Sequence, residues 1–200
     1  MPYKRFCLPQ YPVSEDIWDK IAKEKRPIAV YGMGNGADKL FVRLAEYGAS
    51  VSEVFASDGF VRGHSFRGYK VKTLSDVKNE YSDFLILLSF ASNRSEVIEM
   101  IKKIDCENEM RIPDMPVSGE EYFDKSFYND NYKSIKRAYE SLCDEESRAL
   151  FSTIIKYKLS GKAEFLFDKT STTAQIYALV GENVTRAIDA GAYNGDTARE

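Results

Sequence analysis

The sequence has few residues of the types that bind metals or form disulfide bonds. Its three cysteines, Cys7, Cys106 and Cys143, are widely separated, and His64 is its one histidine. An odd number of distant cysteines, with no CxxC pair, predicts neither a disulfide framework nor a zinc site. We therefore expect reduced thiols and no bound metal. A single histidine also leaves no nucleophile–histidine–acid constellation to assign.

The chain also lacks excess positive charge and long apolar runs. Its formal net charge is -3, which gives no broad electrostatic basis for nucleic-acid binding. The longest apolar run, residues 84–91, is far shorter than the about 20 residues that span a bilayer. Residues 1–16 lack the apolar core of a signal peptide. We expect a soluble, cytoplasmic protein that binds no nucleic acid and no membrane, and we leave a homo-oligomer open.

The first half of the sequence has the pattern of a parallel α/β domain. Residues 27–31 form a short apolar run that predicts a buried strand, and residues 37–45 have apolar side chains at helical spacing before a second strand at 51–55. The run at 82–90 is typical of a strand that is covered on both faces. With short strands at Val71 and at 109–112, residues 27–116 predict a Rossmann-like, doubly wound parallel sheet of about five strands.

Three further segments complete the predicted organisation. Residues 1–26 form an N-terminal helical segment, in which Ser14 is the expected N-cap and Trp18 anchors the helix on the next domain. Residues 117–161, called the connector below, carry two amphipathic helices, the second between Asp144 and Gly161. Residues 162–200 are expected to begin a second α/β domain that is truncated, with a strand at 185–189.

A glycine-rich loop, GMGNGA at residues 32–37, follows the first predicted strand. Gly32 allows a sharp turn, Gly34 allows a phosphate to approach the backbone, and Ala37 lets the helix pack closely. The amides at the helix start, near Asn35, favour an anion. Asp58 follows the second strand, one residue after Ser57, the position where an acid is expected. This pattern predicts a site for a nucleotide, a nucleotide-sugar or NAD, and the alternative is a packing turn without a ligand.

The segment after the second strand resembles the N-terminal Rossmann-like domains of sugar-modifying enzymes and sugar acetyltransferases. It retains five positions of their pattern, F-x-D…G-x-x-x-x-G-x-x-V-x-x-L: Phe55, Gly63, Gly68, Val71 and Leu74. Ser57 stands where that pattern has an acid. The resemblance implies the Rossmann-like fold and leaves nucleotide binding open.

The C-terminal part of the sequence resembles the FkbM family of S-adenosylmethionine-dependent methyltransferases. Three stretches carry the resemblance: residues 144–147 (DEES), residues 157–161 (YKLSG) and residues 189–197 (DAGAYNGDT). The last stretch matches the family's first cofactor motif. The resemblance implies that S-adenosylmethionine is bound at this motif by Asp189, Gly191, Tyr193, Gly195 and Asp196. It also implies a glycan or another small hydroxyl compound as methyl acceptor.

The position of this motif leads to an expectation about the chain. We expect an N-terminal portion of a longer methyltransferase that is not catalytic by itself, because the rest of the cofactor site and the acceptor site would follow residue 200. By itself the chain should neither bind S-adenosylmethionine tightly nor methylate an acceptor. Two alternatives remain: a stand-alone nucleotide or nucleotide-sugar binding module with a regulatory role, and a structural docking or oligomerisation domain.

Overall fold

The computed structural model describes residues 7–61, 63–167, 171–181, 185, 186 and 188. The chain divides into two compact units, Met1–Phe167 and Asp168–Glu200. The larger unit contains a parallel sheet with helices on both faces. It therefore has the α/β architecture that the alternation of strand and helix patterns predicts.

The described residues of the larger unit form six strands. They are β1 (Ile28–Tyr31), β2 (Glu53–Phe55), β3 (Ser65–Phe66), β4 (Tyr69–Lys70), β5 (Leu85–Leu88) and β6 (Met110–Arg111). Four of them make a parallel sheet in the order β2-β1-β5-β6, and β3 and β4 form an antiparallel hairpin. Where a further strand was predicted, at Val71, the sheet gains only one parallel bridge, between Phe55 and Lys72.

Helices cover both faces of the sheet because its central strands are apolar at every position. The five helices before the connector are α1 (Ile17–Ala22), α2 (Asn35–Glu46), α3 (Asp58–Val61), α4 (Leu74–Glu80) and α5 (Ser95–Glu107). Ile28 and Val30 pack in a cluster with α1 and α2. Ala29 and Tyr31 pack in another cluster with α4 and α5. Successive side chains of β1 thus pack against helices on opposite faces of the sheet, as in a parallel strand that is covered on both faces.

The N-cap of the first helix lies two residues after the position that was predicted for it. Asp16, and not Ser14, is the N-cap of α1: its carboxylate accepts hydrogen bonds from the amides of Trp18 and Asp19 at 2.9 and 3.1 Å. The Asp19 carboxylate in turn accepts the amide of Asp16 at 3.0 Å, which completes a capping box. Trp18 is buried in the core with α2 and the sheet, as predicted from its place on the apolar face.

One partly buried arginine, Arg43, joins α1, α2 and the start of the connector. The Arg43 guanidinium lies over the rings of Trp18, Tyr47 and Tyr122, with ring centroids at 5.4, 5.0 and 4.1 Å. It also donates a hydrogen bond of 2.8 Å to the carboxylate of Asp124. Stacking and charge pairing at one guanidinium fix the geometry of three segments.

The connector belongs to the larger unit and has three helices, the two that were predicted and a further short one before them. It contains α6 (Lys125–Asp130), α7 (Tyr132–Ser141) and α8 (Glu145–Ser160), followed by a 3-10 helix at Ala163–Phe165. Asp144 caps α8 by accepting the Ser147 amide at 2.7 Å, and Gly161 ends the helix in the left-handed region, at φ 62°. The Ile112 amide donates to the Gly161 carbonyl at 2.7 Å, which ties the end of α8 to the end of the sheet.

The smaller unit contains one helix among its described residues, α9 (Thr173–Gly181). The strand predicted at 185–189 lies only partly within the described residues, and no strand is assigned to residues 185, 186 and 188. None of the helices in the described ranges is both long and apolar enough to cross a membrane.

Candidate functional site

The order of the four parallel strands defines where a ligand crevice belongs. From β1 the chain passes to β2 on one side and then to β5 and β6 on the other side. In an open parallel sheet, ligands bind outside the carboxyl ends of the strands at the point where this direction changes. That point lies between β1 and β5, directly after Tyr31 and Leu88. The glycine loop leaves β1 at this point.

The glycine loop has the sharp turn that its sequence predicts. Gly32 adopts φ 117°, which side chains other than glycine rarely adopt, and its amide donates to the Phe55 carbonyl at 2.9 Å. Gly34 is the N-cap residue of α2, and no side chain caps this helix. The first intrahelical bond runs from the Asp38 amide to the Gly34 carbonyl at 3.1 Å. The amides before Asp38 are therefore the unpaired first-turn donors of the helix.

Two glycines of the loop have different surroundings. A Cβ atom at Gly34 would meet nothing within 4 Å, so the space beside its backbone is open. A Cβ atom at Gly36 would lie 2.0 Å from the carbonyl oxygen of Ser89. Helix α2 thus packs tightly at Gly36 against Ser89, directly after β5, while Ala37 is fully buried in the core. Open space at Gly34 is what a ligand phosphate needs.

A cleft of about 470 Å³ opens at this point between α2, the end of β5, the segment after β6 and α8. We call it the glycine-loop cleft. Its polar or charged lining includes Asn35, Lys39, Ser89, Asp114 and Tyr157. The volume is within the range of small-molecule sites.

The charged groups of the glycine-loop cleft differ in how they are paired. The Lys39 ammonium donates to the Pro116 carbonyl at 2.6 Å and to the Val117 carbonyl at 3.4 Å. Asp114 is ion-paired with Lys158 at 2.5 Å. The cleft therefore contains a cation that is held by carbonyl oxygens and a carboxylate that is already neutralised by a lysine. This arrangement favours an anion beside Lys39.

Tyr157 brings a phenol from the connector into the cleft. Burial raises the pKa of Tyr157, and the negative charge of Asp114 raises it further. The hydroxyl therefore stays protonated at neutral pH and can donate a hydrogen bond to a ligand oxygen.

A second cavity, of about 310 Å³, lies beside the first between β1, β2 and the start of α5. We call it the aromatic cavity, because Tyr31, Phe60 and Phe90 line it. Phe90 and Ala91 line both cavities. The segment that follows β5 is therefore a wall common to both cavities.

The structure brings together four of the ten predicted cofactor-binding residues. Gly32, Gly34, Asn35 and Ala37 lie on one turn at the carboxyl edge of the sheet. Asp58 begins α3, and its side chain lies outside the described part of the structure. The other five predicted residues, which form the S-adenosylmethionine motif, also lie outside the described residues: Asp189, Gly191, Tyr193, Gly195 and Asp196.

Sequence reasoning missed the residues that reach the site from distant segments. Lys39 is the fifth residue of α2, and its Pro116 partner is 77 positions away. Tyr157 and Asp114 come from the connector and from the segment after β6. The available signal for Lys39 was its place one turn after the glycine loop. No local pattern pointed to Tyr157.

The described residues contain no group of three or more His, Cys, Asp or Glu side chains that could hold a metal ion. The arrangement is instead suited to binding an anionic small molecule through backbone amides, a lysine and a phenol. No protein-family model, no curated protein and no solved structure matches this chain.

Proposed function

We propose that this chain is part of an S-adenosylmethionine-dependent methyltransferase of the FkbM type. In this proposal the larger unit is Rossmann-like and binds the acceptor, a glycan or another small hydroxyl compound carried on a nucleotide, in the glycine-loop cleft. The observation that carries the binding step is the open space at Gly34, beside the uncapped start of α2, at the switch point of the sheet. The resemblance of residues 189–197 to the family's cofactor motif supports the methyl-transfer step.

Binding of an anion at this position follows from the chemistry of the cleft. The unpaired first-turn amides of a helix and its macrodipole attract negative charge. The Lys39 ammonium, now held by main-chain carbonyls, is within the same cleft. A ligand phosphate beside Gly34 would offer it a charged acceptor, which makes a stronger hydrogen bond than a carbonyl.

The methyl group would come from S-adenosylmethionine, held at Asp189, Gly191, Tyr193, Gly195 and Asp196. Holding the acceptor by its nucleotide leaves its hydroxyl free to react. This assigns positioning of the acceptor to the larger unit.

The binding step is tested by titrating the chain with UDP, UDP-sugars and NAD in a calorimeter. We expect binding of a nucleotide or nucleotide-sugar, and we expect Gly34→Val to weaken it at least tenfold. The new side chain fills the space beside the loop, while the fold loses only about 1 kcal/mol from a poorer N-cap. Lys133→Ala, on α7 and outside the cleft, is the control and should bind normally. Equal affinity of Gly34→Val and the parent chain would refute the site.

The methyl-transfer step is tested on the product of the complete gene. With S-adenosylmethionine and a panel of nucleotide-sugars, we expect release of S-adenosylhomocysteine, and we expect Asp189→Asn to lower it. If no acceptor gives release while a nucleotide still binds, the larger unit is a nucleotide-binding regulatory module instead.

A further inference from the structure

The aromatic cavity lies where dinucleotide-binding folds hold a ribose. In such folds an acidic side chain at the end of the second strand accepts the ribose hydroxyls. Here Ser57 follows β2 by two residues, and its hydroxyl is 2.7 Å from the hydroxyl of Tyr31. Both hydroxyls also lie within 4 Å of the Met100 sulfur, at 3.7 Å from Tyr31 and 3.9 Å from Ser57. The hydroxyl of Ser57 is thus engaged within the fold.

The rings around the aromatic cavity are held by one another. Tyr31 stacks on Phe55 with ring centroids 4.6 Å apart, and Phe90 meets Tyr31 edge-on at 5.0 Å. Phe60, in contrast, is 65% exposed although it lines the cavity. Burial of this ring against a ligand would be favourable. A fixed aromatic wall with one uncovered ring favours a flat, unsaturated ring system as the occupant.

The two cavities are neighbours along the glycine loop and share part of their lining. Gly32 and Met33 border the aromatic cavity, and Gly34 borders the glycine-loop cleft. Phe90 and Ala91 form the boundary on the opposite side. A ligand that crosses the glycine loop would therefore place one end among aromatic rings and the other beside Lys39.

We propose that the aromatic cavity is the base subsite for a nucleotide whose phosphates lie at Gly34 and Lys39. The base packs against Phe60 and Phe90. This proposal rests on the proposed function of the glycine-loop cleft and names the part of the ligand that the cleft alone does not specify. It predicts a mononucleotide or its sugar conjugate, since Ser57 provides no acid for the ribose of a dinucleotide.

The test compares ligands with and without a base. The chain is titrated in a calorimeter with UDP, ADP and inorganic pyrophosphate, using Phe60→Ala, Phe60→Tyr and Gly34→Val. Removing one stacking ring should lower affinity for the base-containing ligands by roughly 5- to 150-fold. Phe60→Ala should leave pyrophosphate affinity unchanged, and Phe60→Tyr should restore nucleotide affinity. Because Phe60 is largely exposed, its removal should not unfold the chain. Val42→Ala, which removes another exposed apolar side chain, is the control.

Each outcome decides between the two proposals. Nucleotide binding that is lost in Gly34→Val but unchanged in Phe60→Ala would overturn the base subsite and leave the glycine-loop cleft standing. Equal loss of UDP and pyrophosphate in Phe60→Ala would also overturn it, because the ring would then act only through the fold. Absence of binding by all three ligands would overturn the proposed binding function together with the subsite. Saturation-transfer NMR provides a second readout, with the strongest transfer expected at the base protons.

Discussion

The close contact between Gly36 of α2 and Ser89, directly after β5, predicts that Gly36→Ala destabilises the fold. A methyl group at this position would lie 2.0 Å from the carbonyl oxygen of Ser89 and 3.1 Å from its carbon. Both atoms belong to the main chain, so neither can rotate aside as the end of a long side chain would. In Gly36→Ala, helix α2 must therefore move away from Ser89 by about 1.4 Å or more to reach an ordinary contact.

Two opposing effects set the size of the change. Alanine is preferred over glycine inside a helix by about 1 kcal/mol. Overpacking that moves the backbone costs about 1–3 kcal/mol, occasionally more, and a 2.0 Å approach to main-chain atoms belongs at the upper end of that range. Gly36 is also the second residue of α2, where propensity counts for less. We expect Gly36→Ala to lower the free energy of unfolding by about 1–3 kcal/mol.

Urea unfolding followed by the fluorescence of Trp18 measures this change, because Trp18 is buried against α2. The same loss corresponds to a fall in Tm of roughly 2–12 °C for a chain of this size. The matched control is Gly34→Ser, which adds a Cβ atom in open space and a hydroxyl that can cap α2. It should change the free energy by no more than about 0.5 kcal/mol, or increase it. A Gly36→Ala chain as stable as Gly34→Ser would refute the close approach.

Two further predictions concern charged side chains. Arg43→Met should lower the free energy of unfolding by about 2–4 kcal/mol, since it removes three ring contacts and the charged hydrogen bonds to Asp124 and Glu46. Arg43→Lys should recover part of the loss, and unchanged urea midpoints would contradict the role of Arg43. Hydrogen bonds from Arg26 lower the pKa of Glu24 from 4.5 to about 2, so this pair stabilises the fold above pH 4.5 and is lost as pH falls from 4.5 to 2. In Glu24→Gln the urea midpoint should depend less on pH over this interval than in the parent chain. The same pH dependence of the midpoint in both chains would contradict this prediction.

The fold could be predicted where side-chain pattern and burial agree over a whole element. Residues 84–88 are all apolar, which favours a strand covered on both faces, and β5 lies between β1 and β6. The cap of α1 was misplaced because two candidates compete within three residues. Asp16 wins over Ser14 since its carboxylate also accepts the amide of Lys125 at 2.7 Å, a contact that no local pattern contains.

The candidate site could be predicted only for the residues that one short loop supplies. Gly32, Gly34 and Asn35 lie together because the turn between a strand and a helix fixes their positions. Lys39, Asp114 and Tyr157 come from three separate segments, and their proximity depends on how these segments pack against one another. Sequence periodicity describes single elements and contains no information on such packing.

The connector supplies part of the wall of the glycine-loop cleft, so its packing and ligand binding are linked. Tyr157 and the 112–117 segment form one wall, and the hydrogen bond from Ile112 to Gly161 joins them to the end of α8. The cleft is complete only while α8 is packed on the sheet. A ligand that binds this state and not the opened one stabilises the packing by RT ln(1 + [L]/Kd), about 2.7 kcal/mol at a hundredfold excess over Kd. A bound nucleotide would therefore hold the connector in place, and the connector is the segment that leads along the chain to the proposed cofactor motif.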